Sequence, residues 1–121
     1  PLLRELPFPV VIDHMGGFDP AAGPDQPGFA LLLDLVASGQ VWVKLSAYRN
    51  TLGTDPEAAR PFQERLLQAN PERLLWGSDW PHLRITPVPD VADLLANFRR
   101  WCGDEALARR VLVDNPQALY A

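Results

Sequence analysis

Along this chain three short apolar runs alternate with loops and with stretches that repeat apolar residues at helical spacing. The first run, Val10-Val11-Ile12, is apolar on both faces, as a strand buried inside a parallel sheet reads. A segment rich in Pro, Gly and Asp follows it, from Phe18 to Pro27. Phe29, Leu32, Leu33, Val36 and Ala37 then predict a helix to Ser38, with Gly39 where a C-terminal cap glycine belongs. The second run, Val41-Trp42-Val43-Lys44-Leu45, alternates. It puts Val41, Val43 and Leu45 on one face, and Trp42, Lys44 and Ser46 on the other. After a loop over 47–55, Asp55-Pro56-Glu57 predicts a helix start with Asp as cap and Pro at the first helical position, running to about Ala69. The third run, Leu74-Leu75-Trp76, enters Gly77-Ser78-Asp79, flanked by Trp76 and Trp80. Asp90 then caps a helix ending near Trp101, another spans about Glu105 to Val113, and Asn115 to Tyr120 reads as a terminal helical turn.

Three successive strand-loop-helix units predict a parallel sheet with right-handed crossovers. Three strands alone would leave an open edge on each side, so the units are expected to belong to a larger sheet or a barrel. No linker divides the 121 residues, which read as one partial domain. Opening on Pro1 without an initiator methionine and entering a strand at once, the chain reads as a fragment or the tail of a longer product.

Composition narrows the function classes. At 47% hydrophobic residues the chain can bury a core, and a net charge of -4 without a stripe of Lys and Arg argues against nucleic acid as a partner. A small molecule is the expected ligand. No apolar run reaches membrane-spanning length, so no membrane is expected. Cys102, the single cysteine, cannot form an intrachain disulfide; it is expected to pack in a helix, in a reducing, cytoplasmic setting.

The chemistry-bearing residues share a position. His14, the group from Ser46 through Tyr48 to Arg49, and Asp79 each follow directly after a predicted strand, and in a parallel α/β fold such loops converge on one face. An imidazole, a guanidinium and a carboxylate meeting there can hold a divalent metal, activate a water or anchor an anionic substrate. Plainer readings stand beside these. His14 could be satisfied by hydrogen bonds at a strand end, Asp79 could cap its own turn, and Arg49 could be solvated or pair with Asp55. His82, at the mouth of the Asp79 loop, reads as pocket lining. Inward-facing Lys44 needs a carboxylate partner, and pairing is preferred over catalysis for it. By strand alternation Asp13 points away from His14. Gly16-Gly17 reads as a flexible loop start. Phosphate loops, dinucleotide fingerprints, Gly-x-Ser-x-Gly elbows and zinc-binding Cys pairs are all absent.

Val11-Ile12-Asp13-His14-Met15-Gly16, Val43-Lys44-Leu45-Ser46 with Tyr48-Arg49, Trp76-Gly77-Ser78-Asp79-Trp80-Pro81-His82 and Asn115-Pro116 with Leu119-Tyr120 together resemble the C-terminal part of the amidohydrolase-related family (amidohydrolase 2). The branch resembled holds 2-pyrone-4,6-dicarboxylate lactonase and sugar lactonases, and the likeness covers nearly the whole chain. It implies strands six to eight, with the terminal helices, of a (β/α)8 barrel. It further implies a hydrolase that opens a lactone or a related ester or amide. In that family Asp79 matches the aspartate that takes the proton of the attacking water, as general base. His14 matches a histidine that polarises the scissile carbonyl or helps bind metal. Arg49 matches an arginine that holds a substrate carboxylate, with Tyr48, Ser46 and His82 around the substrate. A divalent metal such as zinc, on His14 and Asp79, and metal-independent catalysis are both compatible with the resemblance. The family's His-x-His pair does not occur in these residues. Gly17 stands where the dicarboxylate lactonase carries an arginine, which turns the expectation toward a different lactone. Two other readings remain: a metal-dependent decarboxylase of the same superfamily, and an inactive half-barrel that associates with another copy, as a homo-oligomer, or with its missing half.

Overall fold

The computed structural model describes residues 2–121. Its sheet has three parallel strands in the order β1-β2-β3: β1 is Val10–Ile12, β2 Val41–Lys44 and β3 Leu74–Leu75. Val10 pairs with Val41 and Val43 with Leu74, and the Leu45 amide extends the ladder by donating to the Leu75 carbonyl at 2.7 Å. β1 and β3 are therefore the outer strands. Trp76, expected as a third residue of the last strand, is outside the ladder; its ring lies 6.0 Å from Phe98.

Helices α1 (Pro27–Ala37), α2 (Arg60–Ala69) and α3 (Val91–Cys102) form the core with one face of β2. Their starts follow the expected chemistry. The Asp55 carboxylate accepts from the Glu57 amide at 2.9 Å in a 3-10 turn over Pro56–Ala59 that leads into α2, and Asp90 accepts from Ala92 at 2.8 Å at the head of α3. α1 begins earlier than its apolar spacing suggested, with Pro27 at its first position, and its buried stripe is Phe29, Leu32, Leu35 and Val36. Leu33 is only half-buried and Ala37 is exposed, because the face that meets the sheet runs through Leu35 instead.

Phe62 of α2 is fully buried, its ring stacked 3.9 Å from Phe18 and edge-on to Phe29 at 4.9 Å. Burying such a side chain contributes about 1.5–3 kcal/mol. Gln63 beside it is also buried, and its amide donates to the Phe98 carbonyl at 2.9 Å, tying α2 to α3. Cys102 packs here as expected, and burial pushes its thiol up to about 11.

The last helix and the terminal turn are continuous: α4 (Glu105–Arg109) passes through a π-helical segment, Arg110–Asp114, into α5 (Asn115–Tyr120). Pro116 has no N–H to give the carbonyl four residues earlier, so the α register cannot simply continue. Buried Asn115 uses the widened turn, donating to the carbonyls of Pro71 and Leu74, each at 2.7 Å, and so fastens the C-terminal helix beside β3. Among the described residues no helix is long and apolar enough to cross a membrane.

Candidate active site

The three loops after the strands meet, and those after β1 and β3 reach their places through a left-handed backbone that regular structure would not give. β1 ends at Ile12. His14 (φ 53°) and Met15 (φ 51°) adopt left-handed conformations, and Met15 is driven fully into the core. Gly16 continues the turn at φ 75°, and a Cβ there would meet the Leu32 side chain at 2.8 Å. The positive φ favours glycine here, and a larger residue would also have to displace the end of the Leu32 side chain. The Asn50 amide fixes the turn by donating to the His14 carbonyl at 2.6 Å.

Asp79 is also left-handed, at φ 63°. Its carbonyl accepts from the His82 amide at 2.9 Å, while Ser78 supplies the side-chain cap, its hydroxyl accepting from the Trp80 amide at 3.2 Å. The Asp79 carboxylate is consequently free of the turn and serves other partners. Arg49 donates to its Oδ2 from Nε at 3.0 Å and from Nη2 at 2.8 Å. The other oxygen, Oδ1, lies 4.0 Å from Nε2 of His14, beyond hydrogen-bond reach.

Arg49, whose side chain is still 36% exposed, is therefore paired with Asp79 and not with Asp55. Besides holding Asp79, its Nη1 and Nη2 donate to the Leu83 carbonyl at 3.4 and 3.3 Å, so it clamps the loop after β2 to the loop after β3. Tyr48 adds a second clamp, donating to the Pro87 carbonyl at 3.0 Å. Ser46 adds a third, donating to the Gly77 carbonyl at 2.7 Å. A Cβ at position 77 would come to 3.3 Å from the Ser46 hydroxyl and press on this clamp.

His14, Ser46, Ser78 and Asp79 line a cavity of about 280 Å³ together with Asp13 and Lys44. Trp80 stands at its edge, 76% exposed. Asp13 and His14 thus share one cavity, contrary to the alternation argument, because the strand stops at Ile12 and the left-handed turn resets the side-chain directions. Asp13 does not couple to the imidazole. It pairs with Lys44, Nζ to Oδ1 at 3.0 Å, which supplies the carboxylate that an inward lysine was expected to need.

Tyr48, Arg49 and His82 do not line this cavity. Tyr48 borders a separate, more open trench of about 560 Å³ with Arg84 and Pro87. His82 is 3% exposed, and neither ring nitrogen has a hydrogen-bond partner among the described residues. His14 Nδ1 is likewise buried and unpartnered. With no acceptor for a proton on Nδ1, the neutral tautomer that costs least carries it on Nε2, facing Asp79.

A divalent cation needs more donors than these residues bring together. Among the described residues no three His, Cys, Asp or Glu side chains gather as a metal-binding group. His14 Nε2 and Asp79 Oδ1 are two donors where a catalytic zinc uses three protein ligands, and the Arg49 guanidinium already occupies the far oxygen of Asp79. These residues by themselves do not fit a cation.

A family model described as amidohydrolase matches residues 1–121, and the chain belongs to that family. It is 40% identical to a 4-sulfomuconolactone hydrolase of Rhizobium radiobacter over 98% of its own length, and 37% identical to a 2-pyrone-4,6-dicarboxylate hydrolase of Comamonas testosteroni over 95%. In both cases it covers 42% of the relative. Among solved structures it is similar to a probable 2-pyrone-4,6-dicarboxylic acid hydrolase from Acinetobacter baumannii with citric acid bound. That likeness has a TM-score of 0.83 at 32% identity and covers 98% of this chain and 46% of that one. The chain thus spans less than half the length of the relatives it matches, with the small parallel α/β architecture in common.

Proposed function

We propose that these 121 residues supply strands six to eight of a (β/α)8 barrel, and that the enzyme they belong to hydrolyses a lactone or a related ester or amide. The observation that carries this reading is the division of labour on Asp79: Oδ2 is clamped by two Arg49 donors while Oδ1 faces His14 Nε2 across 4.0 Å of a shared cavity. A carboxylate with one oxygen fixed and one exposed to a small cavity suits a general base. The names of the relatives, hydrolases of a sulfomuconolactone and a pyrone dicarboxylate, support a lactone as the substrate.

In the proposed step Oδ1 of Asp79 takes one proton from a water as the water oxygen bonds to the lactone carbonyl carbon. The carbonyl π pair moves onto its oxygen, which accepts a hydrogen bond from the Nε2–H of His14. Collapse breaks the ring C–O bond, and protonated Asp79 returns its proton to the departing ring oxygen. Water has then been added across one ester bond, giving an alcohol or enol and a carboxylic acid that ionises in bulk water. Arg49 acts by holding Asp79; Ser46, Tyr48 and the buried His82 shape the loops around the substrate. No step is routed through a metal, and any metal would require ligands from outside these residues.

Asp79→Asn in the full-length protein keeps the Arg49 contact geometry but removes the base. Turnover should fall about 100- to 10,000-fold with the thermal melting curve little changed. Unchanged turnover would overturn the assignment, and carbon dioxide in place of a ring-opened acid would replace hydrolysis by decarboxylation.

A further inference from the structure

β2 lies between β1 and β3 in the sheet, so the loop that follows it sits between the loops that carry His14 and Asp79. It folds at once into a 3-10 turn, Tyr48–Thr51, in which consecutive side chains project about 120° apart and reach different neighbours. Arg49 donates to Asp79 on the loop after β3, and Asn50 donates from Nδ2 to the His14 carbonyl at 2.6 Å on the loop after β1. The turn is itself braced. The Asn50 backbone amide donates to the Ala47 carbonyl at 3.0 Å, and the hydroxyl of buried Thr51 donates to the Tyr48 carbonyl at 3.2 Å.

His14 stands at φ 53°, a left-handed conformation that a residue with a side chain keeps only where its surroundings hold it. Its carbonyl takes two donors, the Gly17 amide at 2.9 Å and the side-chain amide of Asn50. The first belongs to the same turn and moves with it. The second ties the turn to the braced loop after β2. The orientation of the peptide that follows His14 sets the direction of its Cα–Cβ bond, and with it the place of Nε2, 4.0 Å from Asp79 Oδ1. One short turn therefore touches both sides of that gap, and Asn50 is its contact on the imidazole side.

We propose that Asn50 is a positioning residue for His14: its amide fixes the peptide after the imidazole so that the Nε2–H meets the oxyanion where it forms. The inference rests on the hydrolase reading for its effect on turnover, while the placement of the imidazole is measured without turnover.

In the full-length protein Asn50→Ala should lower kcat about tenfold to a hundredfold, the scale of a misplacement of about 1 Å at a reacting group. KM should stay within about threefold, because the bond to the oxyanion is made only in the transition state. Asn50→Asp keeps the size of the side chain but turns an acceptor toward the His14 carbonyl, and should lose at least as much; a residue that merely fills space would be restored by it. In a His14→Ala background Asn50→Ala should cost less than about twofold more, since the group it positions is gone. Independently of activity, the imidazole nitrogen resonances of His14, assigned by their loss in His14→Ala, should shift or split in Asn50→Ala and Asn50→Asp while those of the other histidines stay in place. Unchanged kcat in Asn50→Ala, recovery in Asn50→Asp, equal proportional losses with and without His14, or unmoved His14 resonances would each overturn the proposal. Should Asn50→Ala fail to fold, or His14→Ala leave no turnover to measure, Asn50→Asp and its resonances decide. Undiminished turnover in Asp79→Asn would sink the hydrolysis mechanism and leave the His14 resonances as the test of Asn50.

Discussion

On one face of β2, Val41, Val43 and Leu45 are 0%, 0% and 2% exposed and pack into the core with residues of α1, α2 and α3. On the other face, Trp42, Lys44 and Ser46 each have a particular partner: the Arg73 guanidinium over the Trp42 ring at 4.8 Å, Asp13 on Lys44, and the Gly77 carbonyl on Ser46. The first face works by area and volume and tolerates exchange among apolar residues. The second works by pairwise chemistry, in which replacing one member leaves the other without its counterpart. The same six-residue stretch therefore separates area-driven packing from pairwise contacts by alternation alone, and the contrast can be broken experimentally.

The largest effect should come from the core side. Phe62→Ala removes a fully buried ring that stacks on Phe18 and meets Phe29, and should cost about 3–5 kcal/mol of unfolding free energy by chemical denaturation. A cost under about 1 kcal/mol would mean that the aromatic cluster is not where the stability of this face resides. Ser46→Ala, on the opposite face, removes the 2.7 Å bond that joins the ends of β2 and β3. It should cost about 0.5–1.5 kcal/mol, the net worth of a single hydrogen bond, and it should lower turnover more than that figure alone suggests, because Asp79 hangs from the loop that begins at Gly77. Equal proportional losses of stability and turnover would blur the division between the faces.

Much of the first face was legible in the sequence, and less of the second, for a physical reason. Apolar spacing and caps are local rules, so the three strands, the helices after Asp55 and Asp90 and the packing role of Cys102 follow from the residues nearby. That His14, Arg49 and Asp79 would approach one another was also expected, since parallel strands deliver their following loops to one side. The details of the site depend on departures from regular backbone, which no periodicity encodes. His14 and Asp79 stand at positive φ, so alternation misdirected Asp13, and Arg49 turned to Asp79 and not to Asp55. Gly16 signalled the first of these turns, whose positive φ at 75° suits glycine. The buried Gln63 and the π-helical turn before Asn115 were missed for a related reason: their hydrogen bonds join separate helices and the sheet.

The smallest stability effect is the most informative, because it tests whether the second face can be altered without unfolding the first. The Lys44–Asp13 pair is partly exposed on both sides, and exposed pairs contribute about 0.2–1 kcal/mol. Lys44→Met should therefore leave the denaturation midpoint nearly unchanged, its thioether chain still covering Gly77. The same substitution should nonetheless lower turnover of the full-length protein, because Lys44 lines the cavity that Asp79 and His14 share. If instead it destabilises the fold by more than about 2 kcal/mol, beyond what an exposed pair supplies, then Lys44 is part of the structural frame of β2 and the two faces are not independent. A near-neutral denaturation curve with reduced turnover would identify the inward face as a surface whose residues are held in place by the core behind them and are free to be chosen for the chemistry in front of them.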